Sequence, residues 1–201
     1  MNDQIKRYLD HLPGDFEPIV KQANKYYSAD NKAGVRKDGA IQIFNRTWVA
    51  PENYGLLLFP PADNNLLDKF EKRNNLKTPK SYHDILGIMN GCFVYGFNLF
   101  GLPESLYSTG RLNRDFLCQF DLGSANKFWK FEYKINADLF HIGSRKYSPD
   151  ENIGYFIDDQ DKIISLLKTG KQIKSWPNFQ DFLSDEISIA EDMMLDEIPK
   201  E

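Results

Sequence analysis

Apolar residues recur along this chain first with the period of a helix and later with that of a strand. Ile5, Tyr8, Leu9 and Leu12 fall on one helical face, and Phe16, Ile19, Val20, Ala23 and Tyr27 repeat the pattern after Pro13-Gly14, which separates the two helices. A polar loop, Ser28–Gly39, follows. Ile41 and Ile43 alternate with polar neighbours, and the apolar run Tyr54–Phe59 closes on Pro60-Pro61, so two strands that could pair as a hairpin are expected here. A helix over Asn65–Asn74 takes Asp63 or Asn64 as its cap and turns Leu66, Leu67 and Phe70 inward. In the next helix Thr78 is placed to cap, Pro79 suits the first position, Tyr82, Ile85, Leu86 and Met89 form the stripe, and Asn90-Gly91 ends it.

Cys92–Phe100 is aromatic and apolar and reads as one strand, stopped by Gly101 and Pro103. Residues 104–138 carry little pattern beyond a helical stretch at Ser124–Tyr133. Four strands are then expected at Leu139–Ile142, Ile153–Ile157, Lys162–Leu167 and Gln172–Trp176. Asp158-Asp159-Gln160-Asp161 and Thr169-Gly170-Lys171 supply the turns within this meander. A last helix starts at Asn178, with Asp181 three residues on, and buries Phe179, Phe182, Leu183, Ile187 and Ala190. Helices precede mostly antiparallel strands and no strand-helix-strand alternation occurs, so the pattern predicts an α+β fold with a mostly antiparallel sheet packed by helices.

Composition is that of a globular chain: 41% hydrophobic, 27% charged and 14% aromatic over 201 residues, enough for a core that needs no metal or disulfide. No apolar run approaches the roughly 18 residues of a membrane span, and the start has no secretory pattern, so a cytoplasmic chain without a membrane partner is expected. The net charge of -4 is uneven. Asp181, Asp185, Glu186, Glu191, Asp192, Asp196, Glu197 and Glu201 face only Lys200 in residues 181–201, which makes that segment -7 and the rest +3. Nucleic acid is not expected as a partner of this end, because phosphate binding needs Lys and Arg; a basic protein surface fits.

The residues Thr78-Pro79-x-x-Tyr82-x-x-Ile85-Leu86-x-x-x-Asn90-Gly91, following the helix that begins near Leu66, resemble the opening signature of the SUKH superfamily. Phe140-x-Ile142-Gly143, Gly154-Tyr155-Phe156-Ile157-Asp158 and Trp176-Pro177-x-Phe179-x-x-Phe182-Leu183 agree with it in order and spacing. Thr78 stands where the family often has Leu, and Tyr155 where it often has Asp. The resemblance spans about Asn65–Ile189 and sets the expected division: 1–61 an N-terminal helical extension with the hairpin, packed on the core, and 62–201 a SUKH-like domain. It implies a protein-binding role without catalysis. Many bacterial relatives are immunity proteins that neutralise a toxin, often a nuclease, and others are cell-wall assembly regulators, which gives a regulatory scaffold as the alternative.

Candidate chemistry does not add an enzyme to this picture. Phosphate loops, H-E-x-x-H and the nucleophile elbow are absent from the sequence, and His11, His83 and His141 lie on separate elements, so no catalytic residue, cofactor or metal site is expected. Cys92 and Cys118 read as buried thiols. Asp158, Asp159 and Asp161 lack the spacing of a calcium loop and read as an exposed acidic hairpin tip, the expected contact for a protein partner such as a cognate toxin.

Overall fold

Strand residues of opposite parity face different apolar layers, and this alternation organises the whole molecule. The computed structural model describes residues 1–27, 32–103, 121–135 and 138–198. Within them nine strands pair in chain order into one antiparallel sheet: β1 (Gly34–Val35), β2 (Ile41–Asn45), β3 (Tyr54–Leu58), β4 (Cys92–Val94), β5 (Phe97–Leu99), β6 (Phe140–Ser148), β7 (Glu151–Ile157), β8 (Ile163–Leu167) and β9 (Gln172–Trp176). The helices are α1 (Asp3–Asp10), α2 (Glu17–Tyr26), α3 (Asn64–Asn74), α4 (Lys80–Leu86), α5 (Leu122–Lys127) and α6 (Phe179–Asp196), with 3-10 turns at Gly14–Phe16 and Trp129–Tyr133. This is the α+β fold expected.

Leu56 and Leu58 of β3 and Ile153, Tyr155 and Ile157 of β7 enter the main core, where they meet Ile19, Phe70, Tyr82, Phe182 and Ile187 from the helices. α6 packs on β4, β5 and β9, and α2 packs on α6 and β2. The alternate residues build two smaller clusters on the other face: Leu57 and Phe59 with Ala40, and Phe156, Ile164 and Leu166 under Tyr133. Both faces of β7 and β8 are therefore buried, which explains their continuous apolar sequence. Residues 1–61 supply β1 to β3 of this sheet, and Ile5, Leu9, Phe16, Ile19 and Ala23 share the main core.

Four expectations change. Cys92–Phe100 is two strands, because Tyr95 and Gly96 both take positive φ, 51° and 101°, and reverse the chain in two residues. β6 runs to Ser148, beyond the expected Leu139–Ile142, since Arg145 is buried at 6% exposure by a partner remote in sequence. Thr78 does not cap α4: Pro79 occupies the cap position, and the Thr78 hydroxyl is buried without a hydrogen bond. The expected helix at Ser124–Tyr133 is α5 followed by the second 3-10 turn. Part of the expected Ser28–Gly39 loop, most of residues 104–138, Cys118, Lys200 and Glu201 lie outside the described residues.

Candidate interaction site

The turn that joins β7 to β8 is built by its own aspartates. Asp158 Oδ1 accepts from the backbone N–H of Gln160 and of Lys162, both at 2.9 Å, and closes the turn as an Asx motif. Asp161 takes a left-handed φ of 60° and accepts from Ser81 Oγ at 2.6 Å, which ties the tip to the first turn of α4. Asp159 is exposed and carries neither duty. The structure thus brings the three aspartates together but divides their roles: Asp158 closes the turn, Asp161 ties it to α4, and Asp159 is exposed.

A cleft of about 600 Å³ runs beside the tip. Leu76, Leu139, Phe140 and Ile157 give it apolar lining. Lys77, Lys80 and Lys130 answer the aspartates with positive charge, so the cleft pairs both signs. Lys80 is held by Asp84 at 2.6 Å, and this hydrogen bond, with the field of Asp161, raises its ammonium above the usual lysine range. Burial instead pulls Lys130 down, partly offset by Asp138. Lys130 Nζ lies 5.7 Å from the centre of the Phe131 ring, and Phe131 and Phe128 are 63% and 66% exposed. Lys130 lines the cleft, so Phe131 adjoins it, and large aromatic side chains this open have the composition of a contact patch.

The acidic segment at the C-terminal end offers much less free charge than its sequence does. Glu191 accepts from Gln22, Lys25 and Tyr26 of α2, and these bonds outweigh burial to hold its carboxyl below the usual glutamate range. Asp185 accepts from Lys174 and from Trp176 Nε1, and the Lys174 bond is the main cause of its lowered carboxyl. Glu186 is buried against Arg145 and Tyr155, and Glu197 lies 3.8 Å from Arg46. Asp192 and Asp196 remain exposed. These acids mainly staple α6 to the sheet and to α2, a use that the sequence does not display because each partner is at least nine residues away.

The residues that carried the family resemblance are also engaged in the fold. The Tyr82 hydroxyl lies 2.6 Å from the Phe100 carbonyl and 3.1 Å from that of Ile142, fixing α4 across the ends of β5 and β6. Asn90 Oδ1 accepts from Leu102 N at 2.7 Å, and a Cβ on Gly101 would lie 2.2 Å from the Asn90 carbonyl oxygen. Cys92 is buried beside them, and burial pushes its thiol up to about 12, far from a thiolate at neutral pH. His11 is exposed, His83 is half-buried near Asp84, and His141 lies in β6, so the three do not meet.

His141 sits among aromatic rings. It stacks on Phe156 at 4.4 Å and meets Phe100 and Tyr133 edge-on at 5.0 and 5.4 Å. Burial pushes its imidazole down to about 3, with the Ala125 and Gly143 carbonyls opposing weakly, so it is neutral. Among the described residues no helix is long and apolar enough to cross a membrane.

Comparison with known proteins adds one match. The family model described as SMI1 / KNR4 family (SUKH-1) matches residues 61–185. No curated protein matches the chain.

Proposed function

The chain belongs to the SMI1 / KNR4 family (SUKH-1), and from that premise we propose that it is an immunity protein that binds a bacterial toxin and blocks it by occlusion, without catalysis. The family supports a protein-binding role, in immunity or in regulation, and the cleft beside the β7–β8 turn is the observation that carries this reading further. Asp159 stands free at its rim, the lysines opposite supply the other sign, and Phe128 and Phe131 offer exposed rings. Aromatic anchors give affinity, while exposed charge chiefly sets the rate of encounter. The partner face is then basic, with an apolar group for the cleft, and a toxin acting on nucleic acid would present such charge.

The test follows from the division of labour in the turn. Reversing Asp158 removes the turn hydrogen bonds and reversing Asp161 removes the tie to Ser81, each confounding binding with folding, so Asp159→Lys is the informative change. Affinity capture from the native cells supplies the partner, and stopped-flow association then measures the effect. We expect Asp159→Lys to slow association several-fold at low salt and hardly at all near 1 M, where the Debye length is about 3 Å. An on-rate unchanged at low salt removes this patch from the interface. Capture of an endogenous protein, with no toxin neutralised, transfers the cleft to a regulatory scaffold.

A further inference from the structure

The last turn of α1 and the chain that follows α4 frame a groove of about 470 Å³. Tyr8, Leu12 and Pro13 line it from the N-terminal extension, and Pro61, Gly87 and Ile88 from the segment that the family model matches, so the groove lies at the seam between the two. Tyr8, Leu12 and Ile88 are half-buried and pack on the main core, which gives the groove an apolar lining continuous with it. The Tyr8 hydroxyl donates to the Phe59 carbonyl at 3.0 Å and holds that ring in place. A volume of this order falls within the roughly 300–1,000 Å³ of ligand-binding clefts.

The charged lining is of one sign. Arg7 and His11 are both exposed along the groove, and no carboxylate lines it among the described residues. Basic side chains at the C-terminal end of a helix often serve its last carbonyls, and His11 does so, donating from Nδ1 to the Arg7 carbonyl at 2.6 Å. The Arg7 guanidinium has no such duty: it makes no hydrogen bond or ion pair among the described residues. A guanidinium left open beside an apolar groove complements a carboxylate, which it can meet with two parallel charge-assisted hydrogen bonds, and it repels a cation.

We propose that this groove docks an acidic peptide segment of a protein partner, in which an aliphatic side chain neighbours a carboxylate. The aliphatic group lies against Tyr8, Leu12, Pro61 and Ile88, and the carboxylate meets Arg7. The groove is built from other residues than the cleft at the β7–β8 turn and selects the opposite charge, so its failure leaves the toxin-binding reading untouched.

The full chain, labelled with 15N, is titrated with N-acetyl-Leu-Asp-amide and with N-acetyl-Leu-Asn-amide, which has the same shape and no charge, and then with both probes in reversed residue order. The aspartyl probe, in one order or the other, is expected to shift the backbone amides of Leu12, Gly87 and Ile88 saturably, and its asparaginyl twin to bind about tenfold more weakly. N-acetyl-Ala-Asp-amide, without the aliphatic group, should also bind more weakly. In Arg7→Gln, which deprives no other group of a partner, the aspartyl and asparaginyl probes should bind alike. The proposal is overturned if neither order shifts these amides saturably, if asparagine equals aspartate in the native protein, or if N-acetyl-Leu-Lys-amide binds more tightly than either. It is overturned too if the same amides move when the chain alone is concentrated and sedimentation shows a dimer, which assigns the groove to a second copy. The comparison of probes on the native protein needs no variant to fold.

Discussion

Replacing Glu186 by Ala should be among the most destabilising single changes in this protein. Arg145 and Glu186 are 6% and 3% exposed, with Arg145 Nε 2.7 Å from Glu186 Oε2, and the Tyr155 hydroxyl donates to the same carboxylate. Removing the carboxylate leaves a buried guanidinium and a buried hydroxyl without their acceptor, at a cost of about 3–5 kcal/mol. At roughly 2–4 °C per kcal/mol for a chain of this size, Tm should fall by on the order of 10 °C. The loss belongs to the orphaned partners, so it should largely vanish in Arg145→Met/Tyr155→Phe/Glu186→Leu, which is expected within about 1 kcal/mol of the native protein. Urea unfolding followed by tryptophan fluorescence measures each ΔG, with an unchanged m-value as the check that the transition keeps its character. A single variant losing less than about 1 kcal/mol, or a triple variant no better than the single one, would refute the reasoning.

Two further outcomes follow from buried groups. His141 is held at about 3 in the folded state against roughly 6.5 when unfolded, so the unfolded chain takes up a proton across that window and the native one does not. The stability involved is present above pH 6.5 and is lost as pH falls, by up to about 1.4 kcal/mol per unit, and His141→Phe should flatten the urea-derived stability profile between pH 6 and 4. An unaltered slope in that variant would assign the acid sensitivity elsewhere. Gly101→Ala places a Cβ 2.2 Å from the Asn90 carbonyl oxygen, so the backbone must shift, and a loss of at least about 3 kcal/mol is expected; thermal unfolding within a degree or two of the native protein would contradict the close approach.

How much could be seen in advance depended on where each stabilising partner lay. β7 to β9 were visible because apolar runs are punctuated by Asp158–Asp161 and Thr169-Gly170-Lys171, local signals of turning. α6 was visible from Asn178, whose side chain does accept from Asp181 N at 2.8 Å. The β4–β5 hairpin was hidden because its residues are largely buried, so no alternation shows, and because one Tyr-Gly pair makes the turn. Arg145 lay beyond the expected strand Leu139–Ile142, since nothing local indicates that Glu186, 41 residues on, will neutralise it. The same limit applies to the candidate site. The aspartates of the tip were legible as a cluster, but not that Ser81, 80 residues before Asp161, takes one of them. Nor could the charge of residues 181–201 show that Glu191 and Asp185 are spoken for by α2 and β9.

The strictly sequential order of the sheet bears on how the chain reaches this structure. Each strand pairs with the one made just before it, so a growing polypeptide can add hydrogen-bonded strands one at a time, and no later segment has to be threaded between earlier ones. The sheet is nevertheless unfinished until α6 emerges. Until then Tyr155, Phe97 and Trp176 lack the Phe182 ring that packs on all three, and Arg145 lacks its counter-ion. Assembly is therefore gradual along the strands and abrupt at the last helix, and the stage before that helix docks is when the chain is most open to aggregation, to proteases and to chaperones.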